Sequence, residues 1–396
     1  MQPLDDIRVV DLTEALAGPY GAMLLGDLGA DVIKIERPGA GDQSRRWGAR
    51  LPGGESAYFC STNRNKRSLT LNVQSPAGRE ILYRLLATAD VFICNIPRED
   101  SLKRAGLDEP TLRAKFPRLI YASITGYGRS GPSANRSGYD LVAQGEAGLM
   151  SITGTPESAP TRYPIPIADM TTGLYALIGI FAALRVREQT GRGQLIDASL
   201  VESQAAYLTI MAGDYFANGL APIPIGNAHP SIVPYQVFRA ADKDVIIAVG
   251  SEKQWAQFCA VLGLGPEVRD DVRFATNQDR LKHRADLIPI LQERVNQIPA
   301  EALLSQLRAA EIPCGPINRV PDILSDAHYT ARGNVLTHIH PTAGEIHSLA
   351  NPVRLMATPA TYRLPPPRLG EHTEAILSEL GYGVETIQHL RAETVV

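Results

Sequence analysis

Residues 7–12 read Ile7-Arg8-Val9-Val10-Asp11-Leu12 and residues 31–36 read Asp31-Val32-Ile33-Lys34-Ile35-Glu36, with Tyr20 to Leu28 between them carrying apolar residues at helical spacing. Two short runs rich in β-branched residues around a segment of period 3.6 make a βαβ unit. The alternation continues through helix-like Pro76–Thr88, strand Asp90–Cys94, helix-like Glu109–Lys115 and strand Leu119–Ile124. That order predicts a parallel sheet covered by helices, an α/β fold. A long apolar helix over about Thr172 to Val186 runs to the turn signal Thr190-Gly191-Arg192-Gly193-Gln194, and a strand over Leu195–Ala198 follows.

At 396 residues the chain is long enough for two domains, and its 44% hydrophobic share suits globular cores. Beyond Gly219 the sequence turns dense in Pro, Gly and Asn, through Ala221-Pro222-Ile223-Pro224-Ile225-Gly226-Asn227. The expected organisation is a large domain over 1–200, a linker over 201–224, a small domain over 225–325, and a returning segment over 326–396. Strand-like Asp244–Val249 and helix-like Gln254–Leu262, Leu287–Gln297 and Pro299–Ala310 would make the small domain α/β as well.

The net charge of −3 gives no global field for nucleic acid or an anionic membrane, so any anion must be held by local basic groups. No run approaches about 18 uninterrupted apolar residues, and the N-terminus lacks the pattern of a signal peptide. Cys60, Cys94, Cys259 and Cys314 show neither disulfide nor zinc spacing. The expected location is the cytoplasm, the expected partners are small molecules, and neither nucleic acid nor membrane is expected to bind. The eight histidines carry no metal-ligand spacing, and no serine-hydrolase elbow is present. Gly126-Tyr127-Gly128-Arg129-Ser130-Gly131 has the letters of a dinucleotide fingerprint, but Pro132 and the polar residues after it do not open a helix. A structural turn fits it better.

Asp169, in Pro164-Ile165-Pro166-Ile167-Ala168-Asp169-Met170-Thr171-Thr172-Gly173, stands between a proline-stiffened segment and the long helix. By position alone it reads as an N-cap, or as a reactive carboxylate kept ionised by helix amides. Gly173, early in an otherwise strong helix, indicates close approach by a ligand or another backbone. Lys34, Arg37, Arg45, Arg46, Lys66, Arg67 and Arg104, several of them just after strands, are candidate phosphate contacts or plain solvated surface.

The segments Val10-Asp11-Leu12-Thr13, Ala17-Gly18-Pro19, Leu28 to Glu36, Pro38-Gly39-Ala40-Gly41-Asp42, Asn63 to Ser68 and Ser123-Ile124-Thr125-Gly126-Tyr127-Gly128 closely resemble the family III CoA-transferases, the formyl-CoA transferase-like superfamily. The resemblance covers nearly the whole chain, with the motifs in order and at the right spacing. It implies a large Rossmann-like domain built from both chain ends, a smaller inserted α/β domain, and two ring-like subunits interlocked as a homodimer. It also implies transfer of CoA from an acyl-CoA to a free carboxylic acid, with the CoA thioester as substrate and no metal or other permanently bound cofactor. By the same resemblance Asp169 is the nucleophile, passing through an aspartyl anhydride and an aspartyl-CoA thioester. CoA contacts carry over to Ala17, Arg37, Asn95 and Arg104, with Tyr139 and Asp140 near the acyl end.

Three departures from the family pattern bear on the site. Cys94-Asn95-Ile96-Pro97 replaces the usual run around the CoA-contacting Asn, Gln74 stands where some relatives have a basic residue, and Leu16 where formyl-CoA transferases have Gln. The last, with Gly250-Ser251-Glu252-Lys253-Gln254 where those enzymes carry a glycine-run loop, makes oxalate a poor substrate. The α-methylacyl-CoA racemases also resemble this chain but use His before Asp, where Tyr139-Asp140 stands here, and tyrosine is a far weaker base at neutral pH. A catalytically silent CoA-binding protein is the remaining alternative. The segment Gly226 to Pro230 with Pro234-Tyr235 looks like that of enzymes acting on short dicarboxylates such as succinate or glutarate. Arg46 and His229 are then candidate partners of the distal carboxylate.

Overall fold

The computed structural model describes residues 1–396, which fold into two units. The first comprises Met1–Leu149, Arg162–Leu220 and Thr330–Val396, and the second Met150–Thr161 and Ala221–Tyr329.

The first unit is organised on six parallel strands: β1 (Arg8–Leu12), β2 (Asp31–Glu36), β3 (Lys66–Thr70), β4 (Val91–Cys94), β5 (Ile120–Thr125) and β6 (Leu195–Ser199). Their order across the sheet is β3-β2-β1-β4-β5-β6, the doubly wound arrangement. Val10 pairs with Ile33 on one side and Phe92 on the other, so β1 is the central strand from which the winding reverses. The expectation of an α/β fold with a parallel sheet is met.

The helices of this unit up to residue 220 are α1 (Ala17–Asp27), α2 (Ala57–Thr62), α3 (Pro76–Leu86), α4 (Glu99–Ala105), α5 (Glu109–Lys115), α6 (Asp140–Glu146), α7 (Ile167–Thr190), α8 (Leu200–Ala205) and α9 (Thr209–Asn218). Successive strand residues point to opposite faces, so each face feeds its own core. Val9, Val32, Ile93 and Ala122 pack with Leu25 of α1 and Ala176 and Ile180 of α7. Val10, Ile33, Phe92 and Tyr121 pack with Ile81 and Leu85 of α3. The second core also takes Ile376, Leu377, Ile387 and Leu390 from two C-terminal helices, Thr373–Glu379 and Val384–Ala392, so the far end of the chain completes the domain begun at its start. A two-stranded antiparallel ribbon, Val335–His340 with Gly344–Leu349, belongs to the same unit.

β3 escaped the sequence reading because it begins Lys66-Arg67-Ser68. Those charges are spent inside the fold. The Lys66 ammonium, fully buried, donates to Asp11 (2.9 Å), to the Pro19 carbonyl (2.8 Å) and to Asn63 (2.9 Å). Arg67 forks onto Asp31 (2.9 and 2.7 Å). Lys34 is likewise buried against Asp42 (2.8 Å), and Arg45 grips Glu36 with two bonds of 2.7 Å. Four of the seven candidate phosphate contacts therefore neutralise buried or half-buried carboxylates instead.

The long helix starts earlier than its apolar run, at Ile167, because the hydroxyls of Thr171 and Thr172 bond back to the carbonyls of Ile167 (2.8 Å) and Ala168 (2.6 Å), which lets the helix run through them. By length and composition α7 is long and apolar enough to cross a bilayer; 50% of its most apolar window is buried, against α1, β5 and β6. Residues 201–218, within the expected linker, are mostly helical and belong to the first unit, and the long stretch of the second unit begins at Ala221. Gly219, left-handed at φ 73°, ends α9, and Pro222 and Pro224 cannot donate to a continued helix.

The second unit holds an antiparallel sheet of β7 (Tyr235–Arg239), β8 (Asp244–Ala248) and β9 (Cys314–Pro316). The helices Glu252–Val261, Arg284–Val295 and Ala300–Ala309 close its core around Phe238, Ile247, Trp255, Phe258 and Leu303.

Candidate active site

A cavity of about 1000 Å³ opens in the first unit at the carboxyl edge of its sheet. Leu12 and Glu36 at the ends of β1 and β2, Leu71 after β3, Asn95 after β4 and Thr125 at the end of β5 all line it. This is where a doubly wound sheet places its ligand, beside the point at which strand order reverses.

One wall is the loop from β1 into α1. Ala15 is held in a left-handed conformation, φ 71°, by the Asp42 carboxylate, which accepts from its amide at 3.1 Å while pairing with buried Lys34. Asn95 clamps the neighbouring residue from both sides: its side chain accepts from the Glu14 amide (3.2 Å) and donates to the Glu14 carbonyl (2.9 Å). Lys34 donates to the Thr13 carbonyl (2.8 Å). A strained turn persists only where its surroundings over-determine it, and here three side chains do so. Ala17 opens α1 on the same wall.

Opposite stands the start of α7, with Asp169 in its first turn. Gly173 is needed there because a Cβ at that position would lie 2.5 Å from the Ala17 carbonyl. The close neighbour inferred from the sequence is thus the backbone of α1, which locks Ala17 to the helix carrying Asp169. The adjacent carboxylate, Asp140, comes from α6. It accepts from the Ala168 amide (2.8 Å) and from the Gln144 side chain (2.7 Å).

That arrangement corrects the expected electrostatics. The free α7 amide that would have held Asp169 ionised is taken by Asp140, and Asp169 has no cation against it. Burial, and secondarily the negative charge of Asp140, push the Asp169 carboxyl up to about 7. Tyr58 feels the same pair: burial, then Asp169 and Asp140, raise its phenol to about 12, so it stays a donor at neutral pH.

The cavity brings together six of the expected site residues: Ala17, Arg37, Asn95, Tyr139, Asp140 and Asp169. Arg37 pairs with Glu14 at 2.9 Å, and Tyr139 is 65% exposed. Arg104 is not on the lining; it lies on α4 and donates to Ser101 (3.1 Å). Arg46 is also off the lining, an exposed side chain that donates to the Ala40 carbonyl (3.3 Å). His229 belongs to the second unit, where its ring stacks on Tyr235 at 5.1 Å and its Nδ1 accepts from the Ser231 amide. Trp47, Tyr58, Glu14 and Arg162 line the cavity without having been singled out from the sequence. Trp47, one of only two tryptophans, packs edge-on against Tyr58 at 5.4 Å, and that rarity was the available signal. Arg162, alone between prolines and tyrosine, offered none.

Against known proteins, the family model described as CoA-transferase family III matches residues 4–373. Succinyl-CoA:glutarate CoA-transferase of Mus musculus is 42% identical over 398 residues, covering 100% of this chain and 91% of the mouse protein. Succinate–glutarate CoA-transferase of Agrobacterium fabrum is 40% identical, covering 98% and 96%. Among solved structures, a CAIB/BAIF family protein from Brucella suis superposes with a TM-score of 0.84 at 41% identity, covering 96% of this chain and 99% of that one.

Proposed function

This chain belongs to CoA-transferase family III, and from that premise we propose that it moves CoA from succinyl-CoA to a short dicarboxylate such as glutarate, with Asp169 as nucleophile. The observation that carries the role of Asp169 is its placement: a carboxyl on the cavity wall, poorly solvated, with no cation to stabilise its anion. An anion so placed is more reactive than one in water, and covalent catalysis asks for that combination.

The ionised Asp169 attacks the thioester carbonyl, and CoA leaves as thiolate, giving a mixed anhydride. The thiolate then attacks the Asp169 carbonyl, releasing the donor as its carboxylate and leaving an aspartyl-CoA thioester. The acceptor carboxylate attacks that thioester and expels CoA thiolate, which finally takes the acceptor acyl group from the second anhydride and restores Asp169. Thioester is exchanged for thioester, so the sequence needs no external energy source or redox partner. Arg37 and Asn95 support the reading from the CoA side. Arg37 suits phosphate or a stacked ring, and Asn95 fixes the loop beside the thioester.

The proposed working form is a homodimer. α9 has no buried residue although it carries Ile210, Tyr215 and Phe216, and α7 leaves Ile178 63% exposed. Apolar helix faces of this kind mark a contact with another chain. The proposed setting is the cytoplasm, without nucleic acid or membrane, in keeping with four free cysteines and a net charge of −3.

The test is CoA exchange from succinyl-CoA to glutarate, followed by mass spectrometry, with wild type beside Asp169→Ala. Exchange by wild type alone, with a hydroxylamine-trapped aspartyl species absent from the variant, is the expected result. Exchange surviving in Asp169→Ala would remove the nucleophile assignment.

A further inference from the structure

The charges on the cavity wall do not balance. Four carboxylates line it, Glu14, Glu36, Asp140 and Asp169, against two cations, Arg37 and Arg162. Arg37, already assigned to CoA, pairs with Glu14 at 2.9 Å, and Glu36 is held by Arg45 from outside the lining. Of the two cations only Arg162 has neither a hydrogen bond nor an ion pair, and a dianionic acid entering so acidic a cavity needs a counter-charge.

The backbone beside Arg162 is held by a buried side chain. The next residue, Tyr163, is pinned by the fully buried side chain of Gln144, whose oxygen accepts from the Tyr163 amide (2.8 Å) and whose nitrogen donates to the Tyr163 carbonyl (3.3 Å). The same nitrogen donates to Asp140, which in turn accepts from the Ala168 amide beside Asp169. Only one orientation of the Gln144 amide satisfies these partners, because an amide N–H can only donate and a carboxylate can only accept. One buried glutamine therefore sets the spacing between the segment bearing Arg162 and the turn bearing Asp169. Arg162 lines the same cavity as Asp169 and makes no ion pair with it.

We propose that Arg162 receives the remote carboxylate of a dicarboxylic acid whose other end reacts at Asp169, and so sets the preference for dicarboxylates over monocarboxylates. A planar guanidinium matches a carboxylate with two parallel bonds, and two or three methylenes bridge a cation and a nucleophile that do not touch. This rests on the CoA-transfer reading, and it takes the role that sequence reasoning had given to Arg46 and His229.

The experiment measures kcat/KM for glutarate and for pentanoate, acids of equal chain length, with one acyl-CoA donor, in wild type, Arg162→Gln and Arg162→Lys. The donor is common to both acids, so its own dependence on Arg162 cancels in their ratio. Arg162→Gln is expected to lower the glutarate value by about tenfold or more, chiefly through KM, and to leave pentanoate unchanged. Arg162→Lys should restore part of the loss. Arg162 is exposed, so the thermal midpoint should not move. An unchanged ratio, a parallel loss for both acids, or a wild type without preference for glutarate would each overturn the role of Arg162. A wild type that exchanges CoA with no acid from any donor would instead overturn the transferase reading on which it rests.

Discussion

As the proposed nucleophile Asp169 would attack as an anion while a second carboxylate stands beside it, and the consequence is a pH dependence displaced from the ordinary carboxylate range. Its carboxyl titrates near 7 because burial and Asp140 both disfavour the charge. Below that pH the reactive fraction falls tenfold per unit, and above it the fraction saturates. We therefore expect kcat/KM for the acyl-CoA to rise with unit slope up to about pH 7 and then level. Asp140→Asn keeps an acceptor for the Ala168 amide but removes the like charge, so the inflection should move to lower pH. An inflection near pH 4 in wild type would show that burial does not govern this group. At this scale the sequence supplied the residue, since an acid between prolines and an early helical glycine is conspicuous. It did not supply the direction of the shift, because the burial comes from the packed fold and the second carboxylate from α6, across a loop.

The decisive contact between elements is the crossing of α1 and α7, where backbone meets backbone at Gly21 and Gly173. A methyl at Gly173 would lie 2.5 Å from the Ala17 carbonyl, and one at Gly21 would lie 3.1 Å from the Gly173 carbonyl. Gly173→Ala should therefore destabilise the fold by about 1–3 kcal/mol, the usual cost of overpacking. It should also lower kcat, since the helix cannot give way without moving Asp169. Gly21→Ala, with more room, should cost less on both counts, and thermal denaturation beside turnover checks the pair. Five of the six parallel strands were legible as short apolar runs. β3 was not, because its lysine and arginine look solvated until Asp11 and Asp31 arrive from strands distant in sequence to neutralise them.

For the molecule as a whole, the exposed apolar residues of α7 and α9 predict a second chain. Sedimentation should show a mass near twice the 42.9 kDa of one chain. Phe216→Glu combined with Ile210→Glu should shift it toward the monomer, since both side chains are more than two-thirds exposed in one chain alone. A monomer in wild type at micromolar concentration would remove the dimer from the proposal.

The amino-acid sequence by itself determined the class of fold, the two-part organisation of the chain and the family, and it singled out Asp169 as the carboxylate proposed to be the nucleophile. Each of these is written in local patterning or in motifs short enough to be contiguous. Tertiary structure alone decided which basic residues serve the fold and which face the cavity, because that depends on carboxylates brought in from other strands. It also decided that the helix amide caps Asp140 while Asp169 is left unstabilised, and that Arg162 shares its cavity. Electrostatic environment is a property of through-space neighbours, and the neighbours of Asp169 come from segments that the chain itself keeps apart.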